Sequence, residues 1–238
     1  ATDAGYTCNV PMLVFSEHSK NLSFRGTRNL WYTTQVMVYL SVDVEASGPF
    51  PGIFSLVSLG AVVVRPDPEG KWSVDQELGF YAELKPLEGA AELEAATNIH
   101  GLTRDYLQQN GRDPKAVMEE FAIFFKDLQK RFKKVIPAAW PASFDSPYVG
   151  WYLQYFTGDN PTGWSAFDIP SFGMGLFCCH RNALRNLMKK AGIEFGQNPN
   201  PHNALADAVE QGQTLANLLN YARQIRKDKS RQTTPKAV

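Results

Sequence analysis

The chain has 238 residues, with 24 Lys plus Arg and 24 Asp plus Glu, so its formal net charge is zero. This length is sufficient for one α/β domain with a full hydrophobic core, and the balanced charge excludes a general electrostatic attraction to nucleic acid. The sequence contains no apolar run of membrane-spanning length, no secretion signal, and three cysteines (Cys8, Cys178 and Cys179) without metal-binding spacing. These features predict a cytoplasmic protein that makes no membrane contact.

The two ends of the chain are predicted to lie outside the domain, which would span residues 37–222. Residues 1–36 are mixed in composition and show no apolar periodicity. An upstream translated segment and a partner-binding arm are the two interpretations left open for them. Residues 223–238 are basic and polar, which predicts either a solvated tail or an arm that contacts backbone phosphates.

Between these ends, the apolar patterns predict three consecutive strands followed by alternating helices and strands. The strands are expected at 38–44, 55–65, 72–84, 135–139 and 165–169. The helices are expected at 90–97, from Asp113-Pro114 onward, and at 144–156, 171–178, 180–191 and 203–227. Three antiparallel strands followed by βα units predict an α/β fold with a mixed sheet.

The first strand ends in two acidic residues. Asp43 interrupts an apolar, β-branched run of the kind that forms a buried central strand, and alternation places Asp43 and Glu45 on one face. Because an unpaired buried carboxylate is costly, a metal ion or cationic partner is expected there. The alternative is a pair of strand-end acids exposed to water. The same Asp-x-Glu pattern at Asp67 and Asp75 flanks a Pro/Gly turn and is typical of a solvated hairpin.

Two later segments supply further candidates, namely Asp145 and the pair His202 and Asp207. Five residues on a helix rotate by about 500°, so His202 and Asp207 cannot share a helix face. The prolines of Asn198-Pro-Asn-Pro201 predict a loop, which places His202 before the helix and Asp207 within it. Four carboxylates suit two divalent cations, Mg²⁺ or Mn²⁺, and leave His202 free to act as a base on water. This set predicts two-metal phosphodiester hydrolysis.

The order and spacing of these motifs resemble the DEDDh 3′–5′ exonucleases. The resemblance covers residues 37–221 and is strongest at Ser41–Gly48, Asn98–Thr103, Ser143–Asp145 and His202–Asp207. It implies a ribonuclease H-like, mixed five-stranded sheet flanked by helices. It also implies two Mg²⁺ or Mn²⁺ ions on Asp43, Glu45, Asp145 and Asp207, with His202 as general base. The expected activity is release of 5′-mononucleotides from single-stranded DNA or RNA 3′ ends.

The sequence departs from the family pattern at three positions. Ala46 replaces the usual threonine after the first motif, Ser58 stands where a glutamate is common, and Pro141 lies near the place of a usual asparagine. None of these is a primary metal carboxylate, so the departures bear on rate and substrate rather than on the type of reaction.

Substrate binding is predicted to use the loop after the first motif, which in the resembled family approaches the terminal nucleotide. Phe50 and Phe54 lie in this Pro- and Gly-containing loop and are expected to stack on bases. Burial of these rings in the core is the alternative interpretation.

A different class of function is also considered, a catalytically weak nucleic-acid- or polymerase-binding module that retains the fold. The presence of all four carboxylates and His202 argues against it, because a dead site has no evident reason to keep five costly polar groups. A homodimer and a polymerase partner are both left open.

Overall fold

The computed structural model describes residues 36–233, with side chains described through residue 228. Residues 1–35 of the predicted extension and residues 234–238 of the predicted tail therefore lie outside the described residues. Five strands form one sheet in the order β3-β2-β1-β4-β5. Strands β1 to β3 are antiparallel neighbours, whereas β4 pairs parallel with β1 and with β5. The predicted mixed five-stranded sheet is confirmed, and its strands are β1 (Met37–Ala46), β2 (Leu56–Pro66), β3 (Trp72–Glu83), β4 (Lys134–Ala139) and β5 (Phe167–Asp168).

The helices differ from the sequence prediction in one additional helix and in several helix ends. The additional helix, α2 (Arg104–Asn110), has seven residues and one buried side chain, Leu107, which is too little for a periodic pattern. The first helix begins at Glu94 rather than near 90, and α7 continues to Thr233 because no Gly or Pro interrupts it after Gly212. The helices are α1 (Glu94–His100), α2 (Arg104–Asn110), α3 (Pro114–Arg131), α4 (Ala142–Thr157), α5 (Ile169–Phe177), α6 (Arg181–Lys190) and α7 (Ala204–Thr233).

The sheet separates two apolar clusters, and β1 contributes to both. Leu40, Val42 and Val44 belong to the cluster with residues of α3 and α4, whereas Tyr39 packs with residues of α5 to α7. Side chains alternate along a strand, so the odd-numbered positions of β1 face α7. The Ser41 hydroxyl accordingly donates a hydrogen bond of 2.8 Å to the Ala208 carbonyl.

The first residues of helix α7 pack directly against strand β2. Gly60, which pairs with Asp43 across the sheet, lies beneath the first turn of α7. A Cβ atom at Gly60 would lie 2.2 Å from the Ala204 carbonyl and 2.3 Å from the Leu205 amide nitrogen. Only glycine permits this approach, and the approach brings the first turn of α7 next to Asp43.

Within the described residues, none of the helices combines the length and apolar character required to span a bilayer.

Candidate active site

The two acids of β1 open into a cleft between the sheet and α7. Asp43 and Glu45 are both partly buried and lie on the face of β1 toward α7. The Gln211 side-chain amide donates to the Val42 carbonyl at 2.8 Å and to Asp43 Oδ1 at 3.4 Å. Helix α7 therefore holds the backbone and side chain of β1 at the point where the acids emerge.

Asp145 reaches the same cleft from the first turn of α4. Its side chain is only 3% exposed, and its Oδ1 accepts a 2.9 Å hydrogen bond from the Val44 amide. This bond holds the Asp145 carboxylate against the backbone of β1 between Asp43 and Glu45.

His202 and Asp207 occupy the positions predicted for them. His202 lies on the turn before α7 with a left-handed φ of 67°, and Asp207 lies in the first turn of the helix. Asn203 caps this turn, since its Oδ1 accepts from the Ala206 amide at 3.0 Å. The Asn198 amide donates to Asp207 Oδ1 at 2.6 Å, so the Asn-Pro loop orients the carboxylate.

Three of these side chains, from two segments of the chain, converge closely enough for one ion. Ligand atoms of Glu45, His202 and Asp207 lie within 4.8 Å of one another. Asp43 and Asp145 line the same cleft, which has a volume of about 290 Å³. A second cleft of about 380 Å³ contains none of these acids. It lies elsewhere on the protein, since one of its lining residues, Arg223, is about 24 Å along α7 from Asp207.

The four carboxylates are electrostatically unfavourable without a cation. Burial, followed by repulsion from Asp145 and the other acids, holds the pKa of Asp43 well above its usual range. Burial and repulsion from Asp207 and Asp145 raise the pKa of Glu45 to about 8. Burial raises the pKa of Asp145 to about 7 and also raises that of Asp207. The ion pairs among the described side chains involve other acids, such as Asp75, so none of them neutralises these four carboxylates.

Two functional candidates on α7 were missed by the sequence reasoning. Glu210 lines the cleft, and its charge contributes to the raised pKa of Asp43 and of Asp207. Gln211, described above, is the second. Residues three and four positions after Asp207 in a helix lie on the same side as Asp207. This helical spacing could have identified Glu210 and Gln211 from the sequence.

The residues with similar spacing elsewhere in the chain lie outside the cleft. Asp67 Oδ1 accepts from the Lys71 amide within the β2–β3 turn, and Asp75 pairs with Arg65 at 2.6 Å. Asp105, which follows His100 at the spacing of Asp207 from His202, is exposed in α2. The acids that share only the spacing therefore lie apart from the acids that cluster in the cleft.

His100, within the Asn98–Thr103 motif, interacts electrostatically with His202. Its pKa is lowered by burial and further by the charge of His202. Its Nδ1 accepts from the Leu102 amide at 3.0 Å. Because His100 interacts with His202, the exposed His180 is the better control for His202.

The loop between β1 and β2 contains one exposed and one packed phenylalanine. Phe50 is 63% exposed, whereas Phe54 is half-buried with its ring against Gly48. Ile53, which the sequence reasoning did not select, is 60% exposed. Base stacking by Phe50 and Phe54 stays a prediction, with Phe50 free to make such a contact.

The three departures from the family pattern lie close to the carboxylates. Ala46 is buried at the end of β1, and Pro141 immediately precedes α4. Ser58 pairs with Glu45 across the sheet, and its buried hydroxyl has no hydrogen-bond partner among the described residues.

Comparison with known proteins agrees with this geometry, although no protein-family model matches the chain. The chain is 31% identical over 180 residues to the 3′–5′ DNA exonuclease Cap18 of Escherichia coli, covering 76% of this chain and 90% of Cap18. It is 26% identical over 191 residues to ribonuclease T of Shewanella sp. (strain W3-18-1), covering 77% and 82% of the two chains.

Two solved structures share the fold at low sequence identity. The nuclease domain of 3′hExo, a DEDDh family member bound to rAMP, has a TM-score of 0.56 and 13% identity, covering 82% of this chain and 94% of that chain. The zinc-bound complex of Escherichia coli exonuclease I with single-stranded DNA has a TM-score of 0.58 and 17% identity, covering 84% and 43%. With its clustered acids and its extended identity to Cap18, the chain belongs to the family of 3′–5′ exonucleases that includes Cap18, and it shares the ribonuclease H-like fold of the DEDDh member 3′hExo.

Proposed function

We propose that this exonuclease releases 5′-mononucleotides from the 3′ ends of single-stranded DNA with the help of two divalent cations. The observation that carries the proposal is the cleft in which Asp43, Glu45, Asp145 and Asp207 meet. The choice of DNA rests on the similarity to Cap18, a DNA exonuclease. The choice of a single strand rests on the fold shared with the exonuclease I complex.

The residues of the cleft fit hard divalent cations. Burial of four like charges is costly, since none of these carboxylates forms an ion pair among the described side chains, and cations would remove that cost. The donors on offer are carboxylate oxygens, which favour Mg²⁺ or Mn²⁺. When bound, such ions activate water and stabilise charge on the attacking and leaving oxygens of a phosphodiester.

The protein's own contribution is to position these groups and to move a proton. The Val44 amide and the Asn198 side chain each hold one oxygen of a carboxylate, which orients Asp145 and Asp207 toward the substrate. His202 is exposed on a turn at the edge of the cleft and would take the proton from the attacking water. Its donor atoms lie near Glu45 and Asp207, so a ligand role for His202 is the competing assignment.

The test follows the products from a 5′-labelled single-stranded DNA 20-mer and from the RNA of the same sequence, with Mg²⁺ or with EDTA. We expect a ladder that shortens from the 3′ end only with metal, 5′-monophosphates as products, and faster shortening of DNA. Asp145→Asn should abolish the ladder, whereas the matched control Asp105→Asn should retain it. Products with 3′-phosphates, or a ladder in EDTA, would contradict the mechanism, and faster RNA cleavage would contradict the substrate.

The role of His202 is tested separately by metal binding. If His202 is the base, His202→Ala should bind Mn²⁺ with the wild-type affinity, measured by calorimetry, while its cleavage rate falls. A large loss of Mn²⁺ affinity would instead assign His202 as a ligand.

A further inference from the structure

One wall of the catalytic cleft is cationic and aromatic, in contrast to the acidic wall described above. Arg185 of α6 lines the cleft together with Phe195 and Trp140. Leu184 and Met188 anchor α6 through its buried face, which leaves Arg181 and Arg185, four residues apart, together on an exposed side.

Aromatic rings hold the Arg185 guanidinium in place. Its Cζ lies 4.6 Å from the centroid of the Phe195 ring, and Phe195 packs edge-on against Trp140 with centroids 5.9 Å apart. The Arg181 guanidinium lies 5.8 Å from the Trp140 centroid and continues the same wall. Cation–π contacts of this kind restrict an arginine without using its N–H donors.

The Arg185 guanidinium does not pair with the acids that share its cleft. Among the described side chains, it has no carboxylate within the 4.0 Å of an ion pair. The aromatic wall thus keeps a permanent positive charge beside, but apart from, a cluster of carboxylates. An arginine with unused donors, fixed in a nucleic-acid cleft, is suited to bind a phosphate.

The chemistry of a 3′ end identifies which phosphate this is. With a 3′-hydroxyl terminus, the scissile phosphate is the last one in the strand, and it must sit at the carboxylates. Any second phosphate within the cleft therefore lies on the 5′ side. Building on the proposed function, we propose that Arg185 binds the phosphate immediately 5′ to the scissile one, and so positions the strand for cleavage.

The test combines substitution of Arg185 with removal of the charge from one phosphate of the DNA. Single-stranded DNA carrying a labelled 3′-terminal nucleotide is prepared with all phosphates, or with one neutral methylphosphonate at the second or third linkage from the 3′ end. Release of the first nucleotide is measured with Mg²⁺ at limiting substrate, and binding of the same oligonucleotides is measured by anisotropy in EDTA. The variants are Arg185→Ala, Arg185→Lys and the matched control Lys189→Ala, which removes an exposed charge from the same helix.

We expect Arg185→Ala to lower kcat/KM on all-phosphate DNA by about 10–100-fold, the scale of a charge-assisted hydrogen bond, while kcat changes less. The methylphosphonate at the second linkage should cost the wild type a similar factor and should cost Arg185→Ala almost nothing further. Arg185→Lys should recover part of the loss. Lys189→Ala should behave as the wild type with every substrate.

The salt dependence gives a second readout. Because one phosphate contact is lost, the slope of log affinity against log salt should become shallower by about 0.7 in Arg185→Ala.

Two results would overturn the proposal. If the losses from Arg185→Ala and from the second-linkage methylphosphonate multiply, the two groups do not interact. If the third linkage shows the coupling instead, the assigned position is wrong. A wild type that fails to cleave all-phosphate DNA would refute the proposed function rather than this contact, and anisotropy in EDTA would still report the coupling.

Discussion

Replacement of Glu45 by glutamine should stabilise the metal-free protein. The substitution keeps the size and hydrogen-bonding capacity of the side chain and removes one charge from the cluster. The pKa of Glu45 is raised from 4.5 to about 8 by burial and by repulsion from Asp207 and Asp145. One pKa unit corresponds to about 1.4 kcal/mol, and because the side chain is partly exposed we expect a gain on the order of 1–3 kcal/mol.

The direction of the pH dependence follows from this shift. Since the pKa is higher in the folded protein, ionisation of Glu45 lowers the free energy of unfolding. The penalty is absent below pH 4, grows between about pH 4.5 and pH 8, and is constant above that range. Glu45→Gln should therefore match the wild type at pH 4 and exceed it increasingly toward pH 8.5.

The assay is urea unfolding in EDTA at pH 4.5, 6.5 and 8.5, followed by circular dichroism. Glu77→Gln, which changes an exposed glutamate on β3, is the matched control and should show no gain. Addition of Mg²⁺ at pH 8.5 should stabilise the wild type more than Glu45→Gln. If Glu45→Gln is no more stable than the wild type at pH 8.5, or gains equally at pH 4.5, the account of an electrostatically strained cluster is wrong.

Further substitutions at His202, at the two loop phenylalanines and at Gly60 test separate parts of the site. His202→Ala should lower the single-turnover cleavage rate by about 10²–10⁴-fold, whereas His180→Ala should retain it; equal rates would remove His202 as the base. Phe50→Ala should weaken anisotropy-measured binding of single-stranded DNA several-fold with an unchanged melting temperature, whereas Phe54→Ala, which removes a packed ring, should lower that temperature as well as weaken binding. Gly60→Ala should push α7 off the sheet, so calorimetry should show weaker Mn²⁺ binding and thermal melting a less stable fold; unchanged values would refute the close approach.

Much of the candidate metal site could be predicted because short-range rules determine it. Strand alternation placed Asp43 and Glu45 on one face, and the structure has them on the side toward α7. The two prolines before α7 placed His202 outside the helix, and the structure shows it on a turn with a left-handed φ. In each case the backbone geometry of a few neighbouring residues is sufficient.

Other features depend on packing between distant segments and were not predictable. The hydrogen bond from the Val44 amide to Asp145 requires the pairing of β1 with β4, which no local pattern specifies. The electrostatic interaction of His100 with His202 likewise depends on packing between segments far apart in the chain. The wall formed by Arg185 and Phe195 joins α6 to the loop that follows it, and an exposed arginine gives no signal of such a contact in sequence.

We expect Asp43, Glu45, Asp145 and Asp207 together to hold the catalytic cations. Crystals soaked with Mn²⁺ and a 5′-mononucleotide, measured at the manganese absorption edge, would show where the ions bind. Two anomalous peaks are expected in the cleft, bound by these four carboxylates, with His202 not among the ligands. A single peak with His202 in its coordination sphere, or peaks only outside the cleft, would contradict this expectation.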